Sequence, residues 1–231
     1  MYIFTSDLHF QDKSVADDGW HAEKPFLSFM EFYAPDIKIV LGDFLSLETP
    51  LECIIKAYHK LFCAIYADRN LLWLLPGNHD RDIGALAALG FTILPPVYVI
   101  EYGKWRALVL HGDKFDYFNR GNASIGQIVT RLAGWVERHG WQGADDVLGR
   151  LWSKVIGQVN SIDDACFGLA SQLGCNAFIH GHDHLPHVAS RDGIIGLDCG
   201  TWTRKFEYGY PYAVMTEDRL TLEWWSEDGR W

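Results

Sequence analysis

The sequence predicts an α/β fold in which two sheets pack face to face and are flanked by helices. Three observations carry that expectation. Up to Phe91, short apolar runs that stop abruptly at Gly or Asp alternate with stretches of helical spacing; after Phe91, strand follows strand; between Lys114 and Gln172 the pattern is helical alone. With 48% hydrophobic and 22% charged residues among 231, the chain can bury a sizeable core and is not a disordered tail.

Taken in order, Tyr2–Ser6, Ile37–Leu41 and Leu71–Leu75 read as buried strands, each closed by a polar or turn residue. Between them, Phe26, Phe29, Met30 and Tyr33 have helical spacing, as do Cys53, Ile54, Ala57, Tyr58, Leu61 and Phe62. Ala107–Leu110 and Ala177–His180 are further strands, and three more extended stretches follow between Gly193 and Trp225, with turns at Asp192-Gly193 and Glu217-Asp218. Ile125–Val136 and Val147–Val159 carry apolar stripes at three-and-four spacing, an inserted helical hairpin. A third helix is expected to start at Ser161, where Ser161 and Asp164 make a capping-box pattern, and to stop at Gly174. The expected division is a sandwich from 1–113 and 175–231, with 114–174 as a helical insert or cap.

The net charge of −10 makes the chain a poor candidate for wrapping nucleic acid, because such binding draws its affinity from neutralised phosphates. The insert reverses the balance, with six basic and four acidic residues from Lys114 to Asn160. No apolar run approaches the roughly 18 residues of a membrane span, and no signal peptide is read at the amino terminus. The five cysteines include no C-x-x-C pair, so they read as small buried hydrophobes of a reducing, cytoplasmic setting.

The chemistry lies in where the metal-ligand residue types fall, for each group follows a predicted strand directly. These groups are Asp7 and His9; Gly42-Asp43; Gly77-Asn78-His79-Asp80; His111-Gly112-Asp113; and Gly181-His182-Asp183-His184. Alone, Asp7-Leu8-His9 is an ordinary polar strand end and Gly42-Asp43 ordinary turn chemistry. Together they matter, because the carboxyl ends of strands in α/β sheets form a ligand-binding rim on which distant residues converge. Imidazole, carboxylate and amide donors without thiolate suit manganese, iron or zinc better than magnesium or calcium. By contrast, His180 is read as pointing away from that rim, and His187, His139, His59 and His21 as surface residues. Trp224 and Trp225 are read as a terminal strand packing on a sheet.

The series Asp7-x-His9, Gly42-Asp43, Gly77-Asn78-His79-Asp80, His111 and Gly181-His182-x-His184 resembles the calcineurin-like metallophosphoesterase family over Asp7 to His184. The resemblance implies an αββα sandwich and two divalent ions, manganese first, with iron or zinc as alternatives. It further implies one ion held by Asp7, His9, Asp43 and His184, and a second held by Asp43, Asn78, His111 and His182, with Asp43 bridging. His79 is then the group that contacts phosphate and protonates the leaving oxygen, so Asp43 and His79 are the implied catalytic residues. Many members orient that histidine with the second Asp of Gly-Asp-x-x-Asp. Here that position is Ser46, so Asp80 or another carboxylate would have to serve.

His111-Gly112-Asp113-Lys114-Phe115-Asp116 before a helical insert, and Cys199-Gly200-Thr201-Trp202, resemble the UDP-2,3-diacylglucosamine pyrophosphatase branch. This implies cleavage of a UDP-linked acylated sugar to UMP and a lipid sugar phosphate, the chemistry of lipid A synthesis. Many members of that branch have Arg where this chain has His79, and often Asp where it has Thr201. The insert's apolar stripes and positive charge fit an acylated, anionic substrate and a peripheral contact with the inner membrane, or else they pack only against each other and the sandwich. If the insert faces the cleft, Lys114, Arg120, Arg131 and Arg81 would lie near phosphate oxygens, beside Asn78. A phosphorylated small molecule cleaved by a soluble phosphodiesterase or nucleotide pyrophosphatase is the alternative, and a catalytically silent binding scaffold is a further one. The Gly-Asp-x-x-Asp-Arg-Gly pattern of protein phosphatases is absent after Asp43.

Overall fold

A computed structural model describes residues 1–11, 22–80, 82–115, 158–226 and 229–230. The first half runs β1 (Tyr2–Thr5), α1 (Glu23–Phe32), β2 (Ile37–Leu41), α2 (Leu51–Ala57), α3 (His59–Ala67), β3 (Leu72–Leu75), a 3₁₀ segment (Ile83–Leu89) and β4 (Thr92–Ile93). Then follow β5 (Val97–Tyr102), β6 (Trp105–Leu110), a 3₁₀ turn (Asp113–Phe115), α4 (Gln158–Gln172), β7 (Ala177–His180), β8 (His187–Arg191), β9 (Ile194–Asp198), β10 (Tyr210–Met215), β11 (Leu220–Ser226) and β12 (Gly229–Arg230).

These strands form two sheets: one ordered β12-β11-β10-β1-β2-β3-β4, the other β5-β6-β7-β9-β8. In the first, β1 to β4 are parallel, as the helical crossovers require, and β10 and β11 continue it antiparallel. In the second, β6, β7 and β9 are parallel, with antiparallel β5 and β8 at the edges. The β8–β9 hairpin turns at Asp192-Gly193, both at positive φ (50° and 80°), which suits a two-residue turn.

Alternation along the strands builds the layers. Ile3, Val40, Leu72, Leu74, Tyr212 and Val214 face a core shared with Phe26, Phe29, Ile54, Leu61 and Ile65 of the first three helices. Their neighbours Phe4, Ile39, Leu41, Leu75, Ala213 and Met215 face the other way and meet Ala107, Val109, Ala177, Ile179 and Leu197 between the sheets. The far face of the second sheet, Leu108, Leu110 and Phe178, is covered by Ile162, Cys166, Phe167 and Ala170 of α4. Strands buried on both faces read as continuous apolar runs, which is why the sequence marks them so plainly.

One detail differs from the expectation. The Cys53–Phe62 stretch is two helices, because Tyr58 (φ −116°, ψ 40°) leaves helical geometry and packs its buried ring 4.9 Å from that of Phe10. Helix α4 ends as expected: Gly174 is left-handed (φ 65°), Cys175 N–H donates to Ala170 O and Gly174 N–H to Ser171 O. The expected hairpin from Ile125 lies outside the described residues up to its last turn, as do Arg81, Arg120 and Arg131.

Candidate metal centre

The carboxyl ends of β1, β2 and β3 meet those of β6 and β7 at one edge of the sandwich. Two contacts sew the two sheets together there, His111 Nδ1 donating to Leu41 O (2.7 Å) and His182 N–H to Asp7 Oδ2 (2.9 Å), while Gly181 N–H donates to His111 O within the second sheet. Among the described residues six non-glycine positions have positive φ, and five are Asp7 (55°), His9 (50°), Asp43 (51°), His182 (82°) and His184 (59°). Each such residue costs on the order of 1–2 kcal/mol, so this edge concentrates backbone strain that the rest of the fold must sustain. A Cβ on Gly77 would overlap the Asp43 carboxylate, and one on Gly181 would overlap Ser6 and Asp7, so close approach demands glycine at both.

Two groups of side chains face one another across this edge. Asp7, His9 and His184 bring ligand atoms within 4.8 Å of one another, and Asp43, His111 and His182 do the same. Asp7 Oδ1 lies 3.1 Å from His184 Nε2 and 3.6 Å from His9 Nε2. Asp43 Oδ2 stands between the groups, 3.6 Å from His9 Nε2 and 3.3 Å from His111 Nε2. Its other oxygen accepts the His79 N–H at 2.9 Å, so a bridging role would fall to Oδ2 alone. Asn78 Oδ1 and His182 Nδ1 each lie 3.2 Å from His111 Nε2. The seven residues named as ligands from the sequence therefore lie at one place.

The donor set fits divalent ions. His9 Nε2 is buried without a hydrogen-bond partner while it faces two carboxylates. With the Nδ1 proton of His111 directed at Leu41 O, its Nε2 meets only electron-rich atoms of Asp43, Asn78 and His182. Converging lone pairs with no proton between them call for a cation, and a backbone carbonyl on the far ring nitrogen is the usual support of a ligating histidine. Without the ion, burial opposes charging of His111, yet the Asp43 and Asp7 carboxylates raise its pKa to about 10. Burial likewise opposes ionisation of Asp7 and Asp43, but the adjacent histidines hold both well below the usual carboxylate range.

The surrounding residues hold roles that the sequence reading missed. Ser46 lies against His9, its Oγ 3.3 Å from Nδ1, and so does not orient His79. Asp80 does not either: its buried carboxylate accepts N–H bonds from Gly77 (2.7 Å), Phe44 (2.8 Å) and Asp43 (3.3 Å), tying two loops together. Burial and the Asp43 charge raise its pKa to about 6. The carboxylate on His79 is Glu48, with Oε1 2.8 Å from Nδ1. Burial works against it, but this contact and the Asp43 charge raise the His79 pKa. The signal was available, since Glu48 is the first carboxylate after Asp43. Lys114 is exposed on the turn just after His111. His180 is fully buried and His187 half-buried, so neither is the bystander expected, whereas His59 is exposed.

The match that decides the family spans residues 2–186, from the first strand through the last histidine of the centre, and it is to the calcineurin-like phosphoesterases. The chain belongs to that family. It is accordingly a metal-dependent phosphoester hydrolase built on the α/β sandwich. This calcineurin-like phosphoesterase is 27% identical over 230 positions to a UDP-2,3-diacylglucosamine hydrolase of Pseudomonas putida, covering 89% of this chain and 92% of that one. It is 25% identical to the protein of the same name from Shewanella halifaxensis, covering 95% and 96%. In fold it is similar to Yfce, a phosphoesterase from E. coli (TM-score 0.55, 16% identity, 99% and 95% covered), and to Chaetomium thermophilum Vps29 (TM-score 0.50, 14% identity, 99% and 91% covered).

Proposed function

We propose that this phosphoesterase hydrolyses the pyrophosphate of a UDP-linked, diacylated sugar, yielding UMP and a lipid sugar phosphate. The observation that carries the reading is the run of relatives named for UDP-2,3-diacylglucosamine, matched over nearly the whole chain. We assign Asp7, His9, Asp43 and His184 to one divalent ion, and Asp43, Asn78, His111 and His182 to the other. Manganese is our choice on the imidazole, carboxylate and amide donor set. When bound, two such ions supply Lewis acidity toward the phosphoryl oxygens and activate the attacking water.

The chain's own residues do the rest. Asp43 Oδ2 joins the two halves and fixes their separation. His79, its Nδ1 held by Glu48, offers the proton of its other ring nitrogen to the oxygen that leaves phosphorus, and the Glu48 and Asp43 carboxylates, which raise its pKa, favour the proton-bearing form. We place Lys114 of the turn after His111, and Arg81, Arg120 and Arg131 of the chain outside the described residues, toward the substrate's phosphates. The insert's apolar stripes then receive the acyl chains and bring the protein to the membrane surface that holds such lipids. No helix among the described residues is long and apolar enough to cross a membrane.

The Glu48–His79 pair favours a second reading, a soluble phosphodiester substrate. A leaving alkoxide needs a proton in the transition state far more than a leaving phosphate does, so a carboxylate-supported imidazole has more to do there. Chain-length dependence separates the two readings. Each buried CH₂ is worth about 0.8 kcal/mol, so four methylenes should raise kcat/KM for a UDP-diacyl-sugar over the unacylated UDP-sugar by roughly a hundredfold. Equal rates on both would remove the lipid reading and leave the soluble phosphodiesterase or nucleotide pyrophosphatase.

A further inference from the structure

We propose that Asp163 is a positioning residue for the loop that presents His182 and His184, gripping that loop through His180 and His187. The proposal rests on the metal assignment above. Asp163, on α4, places Oδ1 3.0 Å from His180 Nε2 and Oδ2 2.8 Å from His187 Nε2. The other nitrogen of each ring reaches into the loop: His180 Nδ1 donates to Gly181 O (2.9 Å) and His187 Nδ1 to Leu185 O (2.7 Å). One carboxylate is thus joined through two imidazoles to the carbonyls that bracket residues 182–184. Those residues include His182 (φ 82°) and His184 (φ 59°), whose conformations side-chain-bearing residues avoid, so the loop holds its shape only if its surroundings over-determine it. Helix α4 is a firm anchor, since Ile162, Cys166, Phe167 and Ala170 are buried against the second sheet.

The three residues have the composition of a metal site, and their ligand atoms lie within 4.8 Å of one another. Their spacing argues otherwise. The nitrogen–oxygen distances of 2.8 and 3.0 Å are those of ordinary N–H···O hydrogen bonds, whereas in the cleft, apart from His184 on Asp7 (3.1 Å), the imidazole–carboxylate pairs stand 3.3–3.6 Å apart. Every ring nitrogen of the trio also has an oxygen within hydrogen-bond distance, while His9 Nε2 in the cleft has none that near. Because His184 belongs to one group and His182 to the other, loss of the grip should weaken both ion positions together, unlike loss of any single ligand outside Asp43.

The test uses the full chain and manganese(II) alone as the probe, with Asp163→Asn, Asp163→Glu and His187→Gln compared by metal titration, elemental analysis, the absorption spectrum of the cobalt(II) form, and kcat and KM. Asp163→Asn is expected to lower affinity at both positions about tenfold or more, to shift the cobalt spectrum, and to reduce kcat more than it raises KM, with Asp163→Glu restoring part of each. If Asp163→Asn does not fold, His187→Gln, which severs one arm, carries the test and should shift affinity in the same direction. Unchanged metal affinity in a folded variant, with only a lower melting temperature, would overturn the proposal. So would a wild type that binds three ions of which the variants lose one, since the trio would then be a site in its own right. A wild type that binds no divalent ion would bring down the metal assignment itself and this inference with it.

Discussion

Two regions of the molecule are made of the same parts and behave differently. The cleft combines Asp7, Asp43, His9, His111, His182 and His184; the buttress behind it combines Asp163, His180 and His187. In the buttress every ring nitrogen meets an oxygen at 2.7–3.0 Å. In the cleft the imidazoles and carboxylates stand 3.1–3.6 Å apart, and His9 Nε2 has no partner. Residue type therefore does not separate the metal centre from the structural network; the hydrogen bonding of the ring nitrogens does. The backbone agrees, since five residues of the cleft adopt positive φ and none of the buttress does. Chemistry belongs where the geometry is strained and a ring nitrogen is left for a ligand, and support belongs where the ring nitrogens are used up.

The comparison can be broken most forcefully at His79, which touches the cleft without belonging to either ligand group. His79→Ala is expected to keep both ions by elemental analysis yet lose roughly 10²–10⁴ in turnover on a substrate with a poor leaving group, and much less on a nitrophenyl ester. Equal losses on both would make His79 a phosphate-positioning group. A smaller effect is expected from Glu48→Gln, because Glu48 is 56% exposed and its ion pair is screened: roughly tenfold, with the pH optimum moved downward as His79 loses the carboxylate that raises its pKa. An unchanged pH profile would separate Glu48 from catalysis.

Protonation sharpens the contrast further. With the His111 pKa raised to about 10, the metal-free cleft holds a proton at neutral pH that ion binding must displace. Manganese titration in buffers of differing ionisation enthalpy should show about one proton released; none released would argue against His111 as a ligand. In the buttress the hydrogen bond that His187 donates to Asp163 is the main cause that raises His187 to about 9. A pKa raised on folding contributes stability that is fully present below the unfolded value near 6.5 and fades as pH climbs through about 9. Asp163→Asn should therefore lower Tm by roughly 2–6 °C at pH 6 and by clearly less at pH 10. An equal difference at both would mean the contact is not an ion pair.

Much of this was readable from the chain because strand ends are marked twice, by an apolar run and by the Gly, Asp, Asn or His that stops it. Asp7, Asp43, Asn78, His111 and His182 were found that way. What sequence could not show depends on how loops close. Glu48 reaches His79 because the loop beyond Ser46 folds back, and Ser46 and Asp80 spend their hydrogen bonds on His9 and on backbone N–H groups. His180 and His187 read as bystanders because their partner, Asp163, is on a helix whose placement against the second sheet is a tertiary fact. The break at Tyr58 has the same origin: local spacing favours one helix, and burial of a single ring against Phe10 makes it two.

The central claim is that Asp43 is shared between two metal positions while the remaining ligands serve one each. Elemental analysis of Asp43→Ala and His9→Ala after mild dialysis, beside the wild type, tests it most directly. The expected result is two ions per wild-type chain, about one retained in His9→Ala and neither held firmly in Asp43→Ala, with turnover lost in step. Full metal content in a folded Asp43→Ala chain would contradict the account.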